Sequence, residues 1–255
     1  MRFLVLRLEG PLVSFGHVAV DELRPTLELP TTSMLTGLFA NALGFDHREP
    51  ERHQRLQERL RFAARADLPG RLLRDYQTAR LHRGDRLWTT WGRAQRRAGG
   101  GTTWDESGWG TVQRERFYRA DALVTVVATL LPADESPTLD QLRAALERPE
   151  RPLFLGRKSC LPSRPLLDPE RPVVEAESAR EALLRVPLAG PRGRIALPGH
   201  LPCRWPAEEG GGEDHARARW IADLRDWHTG LHVGGRSVRW GSLPREWFPQ
   251  GEAAA

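Results

Sequence analysis

An α+β fold built on a split βαβ core, the arrangement shared by ferredoxin-like and RRM-like domains, is what this 255-residue sequence predicts. Three observations carry that expectation. Short β-rich runs and amphipathic helical runs follow the order strand, helix, strand, strand, helix, strand once one stretch is set aside. That stretch, 71–119, holds eleven arginines, five acids, four tryptophans and the triple glycine Gly99 to Gly101, with little helical periodicity, and is expected as an inserted β-hairpin with a projecting tip. After Pro165 the chain turns to proline, glycine and short mixed segments, which predict a smaller C-terminal β-rich lobe. The division expected is therefore 1–164 for the core with its insertion and 165–255 for the lobe.

Phe3 to Leu8 alternates weakly and is expected as the first strand, ending at Glu9-Gly10-Pro11, with a long loop to Pro30. Thr31, Thr32 and Ser33 offer N-cap hydroxyls ahead of Met34, Leu35, Leu38, Phe39 and Leu43, which share one helical face, and Gly44 closes that helix. Pro50 to Leu60 predicts a second, more polar helix. Arg61 to Leu68 predicts a strand closed by Pro69-Gly70. Ala122 to Leu131 is β-branched and apolar, Thr138 caps a short helix to Glu147, and Leu153 to Leu155 is expected as the last core strand. In the lobe, Glu208 to Asp214 predicts a loop, Ala216 to Trp227 a short helix, Val233 to Trp240 a strand, and Gly251 to Ala255 a disordered tail.

Composition narrows the function classes. The formal charge is +5, from 38 Lys+Arg against 33 Asp+Glu, and Lys158 is the single lysine. A basic, arginine-dominated chain suits polyanion partners, although GC-rich coding produces the same bias. Cys160 and Cys203 have no zinc or disulfide spacing, so no metal is expected and a reducing cytoplasm fits. Neither a signal-like apolar region nor a run of about 18 apolar residues is present, so no membrane partner is expected.

The most informative anion-binding candidate is Arg151 to Cys160, RPLFLGRKSC. Gly156 allows close backbone approach and positive φ, and Arg157, Lys158 and Ser159 supply guanidinium, ammonium and hydroxyl donors for phosphate oxygens. A basic surface turn explains the tetrapeptide equally well. A second candidate is the helix start at Thr31, Thr32 and Ser33, with Arg24 nearby, where free N–H groups and the positive dipole end favour an anion; simple capping is the competing explanation. In the insertion, Arg80, Arg83 and Arg86 interleave with Trp88 and Trp91, a mixture suited to a polyanion-facing ribbon, although tryptophans there more often pack on protein.

Six stretches together resemble the CasD family of type I-E CRISPR surveillance (Cascade) subunits, in the RAMP superfamily of guide-RNA proteins. They are LRLEGPLVSFG (Leu6 to Gly16), RPTLELPTTSMLTGLFANALG (Arg24 to Gly44), RDYQTA (Arg74 to Ala79), RFYRADALVTV (Arg116 to Val126), RPLFLGRKSCLPSRPL (Arg151 to Leu166) and SLPREWF (Ser242 to Phe248). The resemblance implies a RAMP core and a non-catalytic subunit that grips the 5′ handle of the CRISPR RNA and caps the complex. Its partners would be the large CasA subunit and a CasC backbone subunit, with target DNA engaged indirectly through the complex. The family's projecting hairpin, called a thumb, would here run from Arg80 to Arg114.

A related branch of the superfamily cuts precursor RNA without metal, which would need a base and a cation within reach of one phosphodiester. Tyr76, His82 and Lys158 are the candidates. No Lys-His pair is adjacent, and His215, His228 and His232 have no acid or serine at nucleophile-like spacing and are expected to be structural or exposed. No close acidic cluster suggests a two-metal nuclease. ALVTVVATLL offers no aromatic platform, which disfavours a stand-alone recognition module binding RNA on an open sheet face.

Overall fold

The first β-rich run forms strand β1 over Arg2–Val13, and nearly every residue from Phe3 to Gly10 is buried. A strand covered on both faces has no polar side to show, which is why its alternation is weak in the sequence. Leu4, Leu6 and Leu8 enter a core shared with three helices, whereas Phe3 and Val5 enter a second core on the other face. The strand runs through Gly10-Pro11 instead of ending there. Gly10 pairs with Ala122 and Leu12 with Ala120, so Pro11, which cannot donate to a ladder, is skipped across from Asp121.

The computed structural model describes residues 1–18, 23–81, 87–88, 94–95, 110–190, 197–213 and 215–250. After β1 come β2 (Leu23–Arg24), α1 (Thr32–Ala42), α2 (Pro50–Arg59), β3 (Leu60–Leu68), β4 (Arg71–Leu81), the short strands β5 (Leu87–Trp88) and β6 (Ala94–Gln95), and β7 (Gly110–Leu130). Then follow α3 (Leu139–Glu147), β8 (Val173–Glu175), α4 (Ala179–Arg185), β9 (His200–Pro206), β10 (Ala216–Arg225) and β11 (His232–Pro244). The fold is mixed α/β and dominated by one largely antiparallel sheet, ordered β10-β11-β9-β3-β7-β1-β8 among the described residues.

Strand β7 fuses the returning arm of the expected hairpin with the expected Ala122 to Leu131 strand. Its first part pairs with β4 from Arg71↔Ala120 to Leu81↔Gly110, and its second part with β3. Asp121, at φ 57°, marks the change of partner. The residues beyond Leu81 and before Gly110 lie outside the described set apart from β5 and β6.

Two further expectations are corrected. Leu153 to Leu155 is not a strand: the Leu155 N–H donates to the Cys160 carbonyl (2.8 Å), and the Leu155 carbonyl accepts from the Ser14 N–H (3.0 Å), so the run is an anchored loop. Its apolar signal came from Leu155 being wholly buried, and Pro152 and Gly156 bracket it against strand pairing. Ala216 to Trp227 is not a helix but strand β10, because its alternating Arg-Ala-Arg-Trp pattern fits the sheet period once β11 is there to pair with it. The strands after Pro165 also join the same sheet, through β9 against β3 at Ala64↔Arg204 and Arg65↔Cys203.

The second face of the sheet carries a buried ionic cluster. Alternation that points Phe62, Ala64 and Ala66 at the helices points Arg65 and Asp67 the other way, beside Arg7 and Thr125. Arg65 pairs with Asp67, and Arg7 donates to Asp168 (2.6 Å) and lies 3.5 Å from Asp67. The guanidiniums also donate to the carbonyls of Val186 (3.0 Å) and Pro187 (3.0 and 3.1 Å), while Asp67 accepts from the Ala189 N–H (3.2 Å). The cluster thereby pins the segment after α4 beneath the sheet. No helix among the described residues is long and apolar enough to cross a membrane.

Candidate nucleic-acid interface

A cleft of about 440 Å³ opens where three distant parts of the chain meet: Ser14, Gly16 and His17 with Arg24 and Pro25, the start of α1, and the turn between β10 and β11. The loop after Leu155 forms its fourth side. Arg24, Thr31, Ser33, Gly156 and Arg157, five residues expected from sequence to hold phosphate, all line it. Lys158 and Ser159 are exposed on the same loop but do not line the cleft. Lys158 makes no hydrogen bond or ion pair among the described residues. Arg83 and Arg86, and the side chain of Arg80, lie outside the described residues.

The local chemistry revises several of these roles. Thr31 caps α1 by accepting from the Met34 N–H (3.2 Å), and its buried hydroxyl donates to the Phe15 carbonyl (2.9 Å). Thr32 is also buried: its N–H (2.9 Å) and hydroxyl (2.8 Å) both donate to the Asp223 carboxylate, which in turn accepts from Arg236. An anion does sit at this helix start, and it is the protein's own carboxylate. Ser33 is the member of the triplet left at the cleft, 3.3 Å from His232 Nε2.

Arg157 is likewise engaged inside the protein. Its guanidinium donates to the carbonyls of Phe117 (2.9 Å) and Arg24 (2.7 Å) and stacks 4.7 Å over the Tyr118 ring. The side chain ties the loop to β2 and β7, which positions Lys158 and Ser159 and leaves Arg157 little capacity for a ligand. Gly156 has φ +99°, and a Cβ there would stand 1.7 Å from the Ser14 carbonyl oxygen. The close approach that demands glycine is to the neighbouring backbone.

Sequence reasoning missed the wall built from the β10–β11 turn. Arg225, Trp227 and His232 line the cleft, with the Arg225 guanidinium 5.1 Å over the Trp227 ring. Trp227 is held by Gln57 (3.3 Å) and by His53, whose ring centroid is 4.9 Å away. The available signal was the Arg-x-Trp-His spacing at 225–228, which the helix expectation for that segment obscured. His232 and Ser33 touch across the gap, so the wall and the helix start are in register.

Burial, and next the charge of Arg225, hold the His232 imidazole below its ordinary 6.5, partly offset by Asp223. The folded chain therefore binds fewer protons at this ring than the unfolded chain as pH falls from 6.5 toward the folded value, and stability falls with it. His232→Gln is expected to flatten the pH dependence of the denaturation midpoint below about pH 6.5; an unchanged slope would remove this assignment.

Tyr76, a candidate base, sits half-exposed on β4 in register with Glu115 and is not among the cleft residues. His82 lies outside the described residues. No group of three His, Cys, Asp or Glu that could hold a metal occurs among the described residues.

The family model described as CRISPR-associated protein (Cas_Cas5) matches residues 3–239. The chain belongs to this Cas5 family. The CRISPR system Cascade subunit CasD of Escherichia coli (strain K12) is 31% identical to this Cas5 family member over 190 residues, which cover 69% of this chain and 77% of that protein. A chain from a structure titled CRISPR RNA-guided surveillance complex superposes with a TM-score of 0.64 at 25% identity, covering 98% of this chain and 95% of its own length. A second, titled Crystal structure of Cas protein, gives 0.63 at 29% identity, covering 98% and 100%. The CasD resemblance in the six sequence stretches is thus matched by family, relative and fold.

Proposed function

We propose that this Cas5 family member is a non-catalytic subunit of a CRISPR surveillance complex that grips the 5′ handle of the CRISPR RNA in the cleft between α1, the Gly156 loop and the β10–β11 turn. The observation that carries this reading is the convergence of Arg24, Ser33, Arg225, Trp227 and His232 on one cleft from segments about two hundred residues apart in sequence. Single-stranded RNA needs cations along its backbone and a few aromatic or polar contacts to unstacked bases, and this lining supplies both. Lys158 and Ser159 extend the basic surface at the rim.

On this reading the 1–164 part is a ferredoxin-like RAMP core, the β4–β7 arm is the base of a thumb that lies over the guide, and Arg80, Arg83 and Arg86 are RNA contacts. CasC and CasA subunits are the neighbours, and target DNA is met through the complex. The setting is cytoplasmic.

Replacing Arg24 and Lys158 together with alanine is expected to weaken binding of repeat-derived handle RNA and to lower the salt slope of log affinity by about 1.4, at about 0.7 per phosphate contact on a single strand. Filter-binding titrations across salt concentrations measure both. A wild-type slope in the double variant would sink the cleft as the RNA site. Incubation of the protein with repeat RNA in EDTA separates the enzymatic reading, since a defined cleavage product would replace gripping with cutting.

A further inference from the structure

Strand β10 is an edge of the sheet: β11 pairs with one side of it, and no described strand pairs with the other. Its first residues after Ala216, Arg217 to Trp220, are all exposed. The regular part of the β10–β11 ladder runs from Ala216 to Ile221 before a bulge interrupts it. Half of the backbone N–H and C=O groups of that part point outward, the arrangement that recruits another strand.

The side chains along this edge are unpartnered too. Arg217 and Arg219 share one face of the strand and make no hydrogen bond or ion pair among the described residues. Trp220, on the alternate face, is 65% exposed, and its ring lies across Gly235 of β11, where an added Cβ would meet Cζ2 at 2.5 Å. Val233, two residues before Gly235 on β11, is 67% exposed. A bare edge with a large aromatic is an aggregation hazard unless something covers it.

We infer that β10 is a docking edge for an extended segment of a partner protein, added as a strand and carrying acidic residues on one face and apolar residues on the other. The acidic residues pair with Arg217 and Arg219, and the apolar ones pack on Trp220 and Val233, while the backbone ladder sets the register. The two unpaired guanidiniums select an acidic segment. The backbone edge and the aliphatic Val233 favour a peptide over a nucleic-acid strand, which has no ladder to offer.

The inference rests on the complex membership proposed above, and hydrogen exchange read by mass spectrometry separates the two. Three samples are compared: the free chain, the chain with handle RNA alone, and the chain in its assembled complex. Exchange at residues 216–221 is expected to slow at least about tenfold in the complex and to stay at the free rate with RNA alone. Equal exchange in the free and assembled forms would overturn the docking edge, and protection by RNA alone would assign the edge to nucleic acid instead. Arg217→Glu with Arg219→Glu is expected to lower retention in the complex at least tenfold while RNA affinity and thermal midpoint stay at wild-type values; normal retention would also overturn it. Loss of RNA binding in the wild-type chain would remove the cleft reading without touching the exchange result.

Discussion

Asp67→Ala is expected to destabilise the protein by about 3–5 kcal/mol, the usual cost of stripping the counter-charge from a buried ion pair. Asp67 is wholly buried, as is Arg65, and Arg7 is nearly so. Without the carboxylate, two guanidiniums remain away from water with backbone carbonyls but only Asp168 as an acid partner. The Ala189 N–H also loses its acceptor. Urea denaturation measures the loss. Asp67→Asn, which keeps the shape and an acceptor oxygen, is expected to fall between the two. A wild-type midpoint for Asp67→Ala would mean that the segment after α4 is not held by this cluster.

Gly156→Ala carries the second large effect, about 2–4 kcal/mol from backbone strain and overpacking together. The new methyl would meet the Ser14 carbonyl oxygen at 1.7 Å, and that backbone cannot retreat, because the Ser14 N–H is bonded to Leu155. The loop must move, taking Lys158 and Ser159 with it, so if the proposed function holds, handle-RNA affinity drops in parallel with the thermal midpoint. Gly190→Ala is the control: nothing lies within 4 Å of its added methyl, and a change within about 0.5 kcal/mol is expected. Equal midpoints for the two variants would refute the packing argument.

What was legible from sequence follows from where the physical signal is local. Thr31 and Thr138 announce their helices because a cap is a contact between residues three apart, and both caps form, Thr138 with Gln141 as a full capping box. Leu153 to Leu155 misled because burial and strand pairing select the same residue types, and only the carbonyl partners distinguish them. The β10 segment misled because its strand identity depends on β11.

At the site, the residue types were legible and their employment was not. The sequence offers hydroxyls, a guanidinium and a helix dipole to any anion, but Asp223 reaches Thr32 across 191 residues, and Arg157 reaches the Arg24 carbonyl across 133. Neither assignment leaves a trace in local pattern. Trp227 and Arg225 were hidden for the same reason, since the wall they build exists only when the far end of the sheet is in place.

That long reach sets a schedule for the molecule during its synthesis. The start of α1 leaves the ribosome early, with Thr32 N–H and hydroxyl bare, and its carboxylate arrives 191 residues later, about 10–40 seconds at ordinary elongation rates of about 5–20 residues per second. Arg236, which holds that carboxylate, comes later still. A nascent chain thus presents Thr32 without its carboxylate partner while the β10–β11 side of its cleft is still missing. On the proposed function, the complete RNA cleft exists only once translation is nearly finished, because its β10–β11 side is made last.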